Sequence, residues 1–326
     1  MSRMTKVLVT GGAGFIGSHV IDWLIESGFK VLAFDHSAPG FLRNLHPDDA
    51  LEFFHGDVLD DVAVTEAAAH VDGIVHLAAV LGTQETIQNP RPSAQTNILG
   101  AMNVFEAAVQ YDLPVVYAGV GNHWMREHGA GSYTISKTVV EDYARMYNQF
   151  RGAKITVVRP VNAYGPRQSI AAPFGSSKVR KIIPSFACHA LAGLDIEVYG
   201  DGTQISDCVH VFDVARVFVE ALRWTAINGP GPHAFEVGPV QSTSVNDVAR
   251  MIAKEAAILT GQSYPVDIHH VPMRPGEVPN AVVSADTMTL EPLDIDPADF
   301  ISLENGLTQV VRWYAETWLP GWKAQR

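Results

Sequence analysis

The sequence predicts an α/β protein built on a doubly wound, mostly parallel sheet, and three observations carry that prediction. Residues 6–35 read as strand, glycine turn, helix and strand, a complete βαβ unit. Strand-like and helix-like runs then alternate as far as residue 160. The run GIVHLAA at 73–79 is apolar almost throughout, as a strand covered on both faces has to be.

Taken in order, KVLVT (6–10) is the first strand, GGAGFIG (11–17) the turn, SHVIDWLIESG (18–28) the helix and KVLAFD (30–35) the second strand. In the helix Val20, Trp23 and Leu24 recur at helical spacing, and Gly28 ends it as a C-cap. LEFFHGD (51–57) is the third strand, followed by a helix at 61–69, the strand at 73–79, a helix at 94–111, a strand at 114–119, a helix from Tyr133 to 150 and the strand ITVVRP (155–160).

After Pro160 the texture changes to an irregular stretch rich in Gly, Pro and Ser, ahead of a helix at 182–192. Residues 209–224 read as strand plus amphipathic helix, and FEVGP (235–239) as one more short strand. A helix at 245–257, a strand near 266–271, a Pro/Gly-rich loop at 272–279 and a helix at 303–317 complete the chain. Trp313, Trp318 and Trp322 read as a packing cap. At 326 residues this makes two lobes: residues 1–164 with 207–240 as a dinucleotide-binding domain of Rossmann type, and 165–206 with 241–326 as a smaller substrate-binding lobe.

Composition bounds the function. A formal net charge of −12, with no run of Lys and Arg, argues against a nucleic-acid surface. Cys188 and Cys208 are too few for a disulfide framework and read as small buried residues. The histidines, including the His269–His270 pair, form no metal constellation, so no metal is expected. There is no signal-peptide core and no apolar run of about 20 residues, so the expected setting is the cytoplasm, away from membrane.

Two stretches carry chemistry. Gly11, Gly14 and Gly17 follow a strand and open a helix: Gly11 allows the tight turn, Gly14 lets backbone N–H groups approach a pyrophosphate, and Gly17 lets the helix pack on the sheet. Asp35, at the end of the second strand, can accept both hydroxyls of an adenosine ribose and repel a 2′-phosphate, which favours NAD over NADP. The second stretch is Tyr133-Thr134-Ile135-Ser136-Lys137, where a tyrosine and a lysine share one helix face. The Lys137 ammonium is expected to stabilise a Tyr133 phenolate and bring a poor base into range. In a chain with nine tyrosines such a spacing can also arise by chance, and the context decides.

With TGGAGFIGSH (10–19), GD (56–57), HLAA (76–79), Pro90 with NILG (97–100), YTISK (133–137), RPVNAYGPRQ (159–168), VYGDGTQISDCVHVFDVA (198–215) and RPGE (274–277) in this order, the chain resembles an extended short-chain dehydrogenase/reductase of the nucleotide-sugar epimerase and dehydratase group. The resemblance covers nearly the whole length. It implies that Asp57 and Val58 hold the adenine, that Leu77, Ala78 and Ala79 line the nicotinamide side, and that Phe15, Ile16 and Pro160 also touch NAD. Lys137 would also bind the nicotinamide ribose, Asn162 would contact the diphosphate of a nucleotide-diphosphate sugar, Arg274 would neutralise it, and Thr83 would touch the substrate. The implied reaction is a UDP-sugar 4-epimerase-like one, in which Tyr133 takes a proton from a sugar hydroxyl while hydride passes to NAD and returns to the other face of the keto sugar. The resemblance also implies a homodimer through the helices at 94–111 and 133–150.

Two departures qualify this. Where the family carries a catalytic Ser or Thr after the fifth strand, this chain has Ala118-Gly119-Val120-Gly121-Asn122, and Val120 can neither donate nor accept a hydrogen bond. Asn122 or His123 is the expected substitute; alternatively the chain is a dehydratase, with Glu127 or His128 as acid/base, or a binding protein without turnover. The family arginine before Asp207 is Ser206, which removes one positive contact.

Overall fold

The computed structural model of the chain describes residues 4–37, 44–121, 131–231 and 234–324. It opens with β1 (Lys6–Thr10), α1 (Phe15–Glu26), β2 (Lys30–Asp35), β3 (Leu51–His55), α2 (Asp61–Ala68) and β4 (Gly73–His76). Short helices α3 (Thr83–Gln88) and α4 (Pro90–Ala94) lead through a π-helical turn at Gln95–Leu99 into α5 (Gly100–Tyr111), then β5 (Pro114–Ala118), α6 (Ser132–Arg151) and β6 (Lys154–Pro160). The remainder runs β7 (Asn162–Tyr164), α7 (Ile182–Leu191), β8 (Ile196–Tyr199), β9 (Ile205–Ser206), β10 (Cys208–His210), α8 (Val211–Asn228), β11 (Phe235–Val237), α9 (Val245–Thr260), β12 (Ile268–Val271), β13 (Val282–Val283), α10 (Leu303–Thr317) and α11 (Leu319–Ala324).

Seven parallel strands form one sheet in the order β11-β6-β5-β4-β1-β2-β3. Side-chain alternation sorts its two faces. Val7 and Val9 of β1 and Val31 and Ala33 of β2 join Val20, Ile21 and Leu24 of α1 and the buried face of α8. Leu8, Leu32 and Phe34 point the other way, into the core under α2, α5 and α6. Burying Val20, Ile21 and Leu24 is worth about 2 kcal/mol each, so the apolar stripe read from the sequence is what fastens α1 to the sheet. A third core joins α7, α9 and α10 with β8 and the C-terminal tryptophans. There Phe174 takes a hydrogen bond from Trp318 Nε1 at 3.1 Å and lies edge-on to Trp318 and Trp322.

Several boundaries differ from expectation, each with a local cause. α1 starts three residues early, inside the glycine motif, because Gly14 takes the N-cap conformation and its carbonyl accepts from Ser18 N at 3.0 Å. The helix expected at 94–111 is interrupted by the π turn, which carries the buried Asn97. β7, β8, β9 and β13 are two to four residues long and pair only with distant strands, so no local periodicity announces them. Among the described residues no helix is long and apolar enough to cross a membrane.

Candidate active site

Strand order reverses between β1, which leads outward to β2 and β3, and β4, which leads to β5 and β6. A parallel sheet leaves a crevice at the carboxyl ends of its strands there. In this chain the crevice is a cleft of about 720 Å³ lined from the glycine turn past α6 to the start of α7 and Arg274.

The glycine turn forms one end. Gly11 has φ +70°, and its N–H donates to Phe34 O at 2.8 Å, locking the turn onto β2. A Cβ on Gly17 would stand 2.2 Å from Gly11 O and 2.9 Å from Gly12 Cα, so only glycine lets α1 start this close to the strand. Asp35 is 7% exposed and accepts from Ala13 N at 3.1 Å and Ser37 N at 2.9 Å. A carboxylate offers about four acceptor sites, so it can still take two ribose hydroxyls. The bare backbone cradle and the unsaturated carboxylate fit a dinucleotide.

α6 brings Tyr133 and Lys137 to the middle of the cleft, opposite the wall formed by Leu77, Ala78 and Ala79. Behind that wall Thr10 Oγ1 lies 3.2 and 3.3 Å from the N–H groups of Leu77 and Ala78 and accepts from both. Its own hydrogen therefore points to His76 Nδ1, 2.7 Å away, which assigns the Nε2–H tautomer to His76. Burial, helped by the Lys137 charge, lowers the His76 pKa to about 3 and keeps the ring neutral. His76 stacks on Tyr117, whose ring also carries the Lys137 ammonium 4.4 Å from its centre.

Burial governs the titration of the pair. It pushes the Tyr133 phenol up to about 12 and draws Lys137 down to about 7, with Glu141 pulling Lys137 back up. The expected lowering of the Tyr133 pKa by Lys137 is not found in the protein alone: desolvation of the phenolate drives its shift, and upward. Lys137 belongs to a buried charge series. Glu141, one turn further on, accepts from Arg159 Nε at 3.1 Å and Nη2 at 2.5 Å, and Arg159 Nη1 reaches Glu236 at 3.2 Å. Burial opposes the Arg159 charge, but the two carboxylates raise its pKa nonetheless.

The π turn has a positional consequence. Asn97 Nδ2 donates to Ser136 Oγ at 2.9 Å and to Val80 O at 3.1 Å, while its Oδ1 accepts from Val80 N at 2.8 Å. Asn97 so ties the chain at Val80, just past the wall at 77–79, to the Tyr133 helix, Ser136 lying 39 residues further along the chain. Val120 is buried in the cleft wall, and its N–H points to Glu141 at 3.4 Å.

Just past Pro160, Asn162 donates both amide hydrogens, to Ser206 Oγ at 2.9 Å and Asp207 O at 3.0 Å. Arg274 lies over the Tyr199 ring, 4.7 Å from its centre, and pairs with Glu277.

The cleft thus brings together Gly11, Gly14, Phe15, Ile16, Asp35, Asp57, Val58, Leu77, Ala78, Ala79, Thr83, Tyr133, Lys137, Pro160, Asn162 and Arg274. Asn122, His123, Glu127 and His128 lie outside the described residues. Among the described residues no cluster of His, Cys, Asp or Glu could hold a metal ion. Sequence reasoning missed Tyr117 and Glu141. Glu141 was legible, since it repeats the Tyr133–Lys137 spacing once more along one helix face.

A family model described as the NAD dependent epimerase/dehydratase family matches residues 7–238. The chain belongs to this family. NAD is its cofactor. A putative UDP-glucose 4-epimerase of Methanocaldococcus jannaschii is 32% identical over 321 residues, covering 94% of this chain and 97% of that protein. The UDP-glucose 4-epimerase of Thermotoga maritima, solved with UDP-glucose, superposes with TM-score 0.81 at 28% identity, covering 96% of this chain and 99% of its own. The dTDP-glucose 4,6-dehydratase of Streptomyces venezuelae, solved with NAD bound, gives TM-score 0.80 at 25% identity over 98% of each chain. Family members of both reaction types resemble this chain to a similar degree, so the reaction has to be argued from the site.

Proposed function

We propose that the chain is an NAD-dependent nucleotide-sugar 4-epimerase that works through a transient 4-keto sugar with Tyr133 as the base. One observation carries this reading. Among the described residues the carboxylates lining the cleft sit at its two ends: Asp35 and Asp57 by the glycine turn, Glu197 and Glu277 in the second lobe. Among the described residues none of the cleft-lining carboxylates lies on α6 with Tyr133 or in the wall at 77–79. Expelling water from the sugar needs a general acid besides the base at the 4-oxygen, whereas epimerisation needs only that base.

Tyr133 takes the proton of the 4-hydroxyl and later returns it. Lys137 steadies the phenolate and the nicotinamide ribose, and Asn122 or His123 gives the sugar oxygen the hydrogen bond that Val120 cannot. Bound NAD supplies the positive charge that draws the Tyr133 phenol down and the reversible acceptor for the hydride of carbon 4. Asn162, Arg274 and Thr83 hold the nucleotide sugar. The lobe boundaries are placed at 164/165, 206/207 and 240/241, and the working form is a homodimer.

The second reading is a dehydratase, supported by the likeness to the Streptomyces enzyme; it would take its acid from Glu127 or His128. Incubation with UDP- and dTDP-hexoses followed by chromatography that resolves the 4-epimers, coupled to mass spectrometry, separates the readings. An isobaric product is the expected result, loss of one water would replace epimerase by dehydratase, and unchanged sugar with retained binding would leave a binding protein.

A further inference from the structure

The turn that follows β7, Gly165-Pro166-Arg167, packs against the glycine turn and α1 from far along the chain. Pro166 O accepts from His19 Nε2 at 3.0 Å, and Arg167 Nη2 donates to Asp22 Oδ2 at 2.6 Å, so two bonds one helical turn apart hold α1 across 145–147 residues. Arg167 Nη1 also donates to Asn44 O at 3.3 Å, and Asn44 Nδ2 donates in turn to Ala13 O at 3.1 Å. His19 is buried, which draws its pKa down to about 4, so its ring is neutral and carries its proton on Nε2, the nitrogen that faces a carbonyl. Arg167 holds its place at φ +68°, a left-handed backbone that residues other than glycine rarely adopt. Its planar fork lets one side chain serve a carboxylate on α1 and a carbonyl on the β2–β3 connection together.

These bonds converge on Ala13. Its N–H donates to Asp35 Oδ2 at 3.1 Å and its carbonyl accepts from Asn44, so the peptide on each side of it is fixed, one by the carboxylate that ends β2 and the other, through Asn44, by Arg167. The second of these peptides leads into Gly14, the N-cap of α1, and the free N–H groups of that first turn are the donors a pyrophosphate takes. A carbonyl free to swing in this turn would present its negative end to the phosphates. Asn44 holds it elsewhere.

We propose that Arg167, acting through Asn44, is a positioning residue that keeps the glycine turn shaped for the NAD pyrophosphate and slows release of the cofactor. This rests on NAD as the cofactor and not on the epimerase reading, so the two can fail separately. It also fastens the cofactor site to the segment that carries Asn162, five residues before Arg167.

The test is exchange of bound NAD. Protein loaded with radiolabelled NAD is chased with unlabelled NAD and the retained label is followed in time, for wild type, Arg167→Gln, Asn44→Ala and the double variant, with the thermal midpoint at saturating NAD as fold control. Arg167→Gln and Asn44→Ala are each expected to release NAD about tenfold faster, the loss of one or two hydrogen bonds' worth of support. The double variant should release it no faster than Arg167→Gln alone, because the Ala13 carbonyl has already lost its support there. Release at the wild-type rate in Arg167→Gln overturns the proposal. A double variant whose effect is the product of the two single ones overturns it too, since the residues would then act independently. Faster release together with a lowered thermal midpoint at saturating NAD reduces Arg167 to packing between segments and equally overturns it.

Discussion

The Lys137 ammonium stands 4.4 Å from the centre of the Tyr117 ring, and His76 stacks on the same ring with centroids 5.7 Å apart. Lys137 thus meets two opposing influences: burial, which favours its neutral form, and an aromatic face beside a carboxylate, which favours the ammonium. In the proposed mechanism Tyr133 works as base only while that ammonium keeps its proton, which would make the ring part of the proton-transfer machinery by position.

Tyr117→Leu is expected to lower the Lys137 pKa by half a unit to about one unit, because an exposed-to-buried cation–π contact is worth roughly 0.5–2 kcal/mol and one unit is about 1.4 kcal/mol. Lys137 is needed protonated, so the high-pH limb of kcat moves to lower pH. Tyr117→Phe keeps the ring face and removes a buried hydroxyl that has no partner among the described residues. It should leave the limb in place and raise stability by up to about 1 kcal/mol. Equal pH profiles in the two variants would remove the ring from the mechanism.

Tyr133→Phe removes the only atom proposed to exchange the sugar proton, while the backbone N–H of residue 133 keeps its bond to Thr86 Oγ1 at 3.2 Å. Turnover is expected to fall by about 10²–10⁴ with cofactor content unchanged. A variant that still turns over at the wild-type rate excludes Tyr133 as base. Asn122→Ala should cost less, since it removes one hydrogen bond and leaves the base in place.

Asp35→Asn keeps an acceptor for only one of Ala13 N and Ser37 N, which bond to different carboxylate oxygens, and deletes the negative charge that would face a 2′-phosphate. NAD affinity should drop about tenfold, the loss of a charge-assisted pair of hydrogen bonds, while NADP affinity rises. Cofactor titration by fluorescence reads both. An unchanged NAD to NADP ratio would show that another group sets the preference.

The glycine turn was legible because its chemistry is local: strand, turn and helix lie within 26 residues, and each glycine answers a constraint set by its neighbours. The Tyr133–Lys137 face was legible for the same reason. What surrounds it was not. Tyr117 looks in sequence like any strand aromatic, and its role depends on two residues from β4 and α6. Asn97 sits in a run that reads as unbroken helix, and the extra residue of a π turn leaves the apolar pattern intact.

Asp213 gives a stability prediction away from the cleft. Burial raises its carboxyl from 3.8 to about 6, against the bond it accepts from Ile301 N at 3.0 Å. The folded state therefore binds this proton more tightly than the unfolded one, so the contribution is favourable at low pH and is lost as pH rises from about 4 to about 6. Asp213→Asn keeps the acceptor without the buried charge. At pH 8 it should be more stable by on the order of 2 kcal/mol in urea unfolding, and the gain should shrink as pH falls through that window. A constant difference across pH would place the effect in packing.

On the outer side of α6, Ile135, Val139, Tyr143, Met146 and Phe150 fall at successive helical turns, with Ile135 53% and Phe150 71% exposed and the three between them half-buried. The stripe is continuous, while the opposite face of the same helix already packs on the sheet through Val140, Ala144 and Tyr147. Five apolar positions in line at the surface are more than a single helix needs, and a second α6 across a two-fold axis would cover them with the same residues. A stable interface of this kind buries about 800 Å² per partner. Light scattering at micromolar concentration should give the mass of two chains. Met146→Glu places a charge at the middle of the stripe, where both copies would carry it in the interface, and should shift the mass toward one chain with cofactor content retained. A wild-type monomer, or a dimer indifferent to Met146→Glu, would move the interface to another surface.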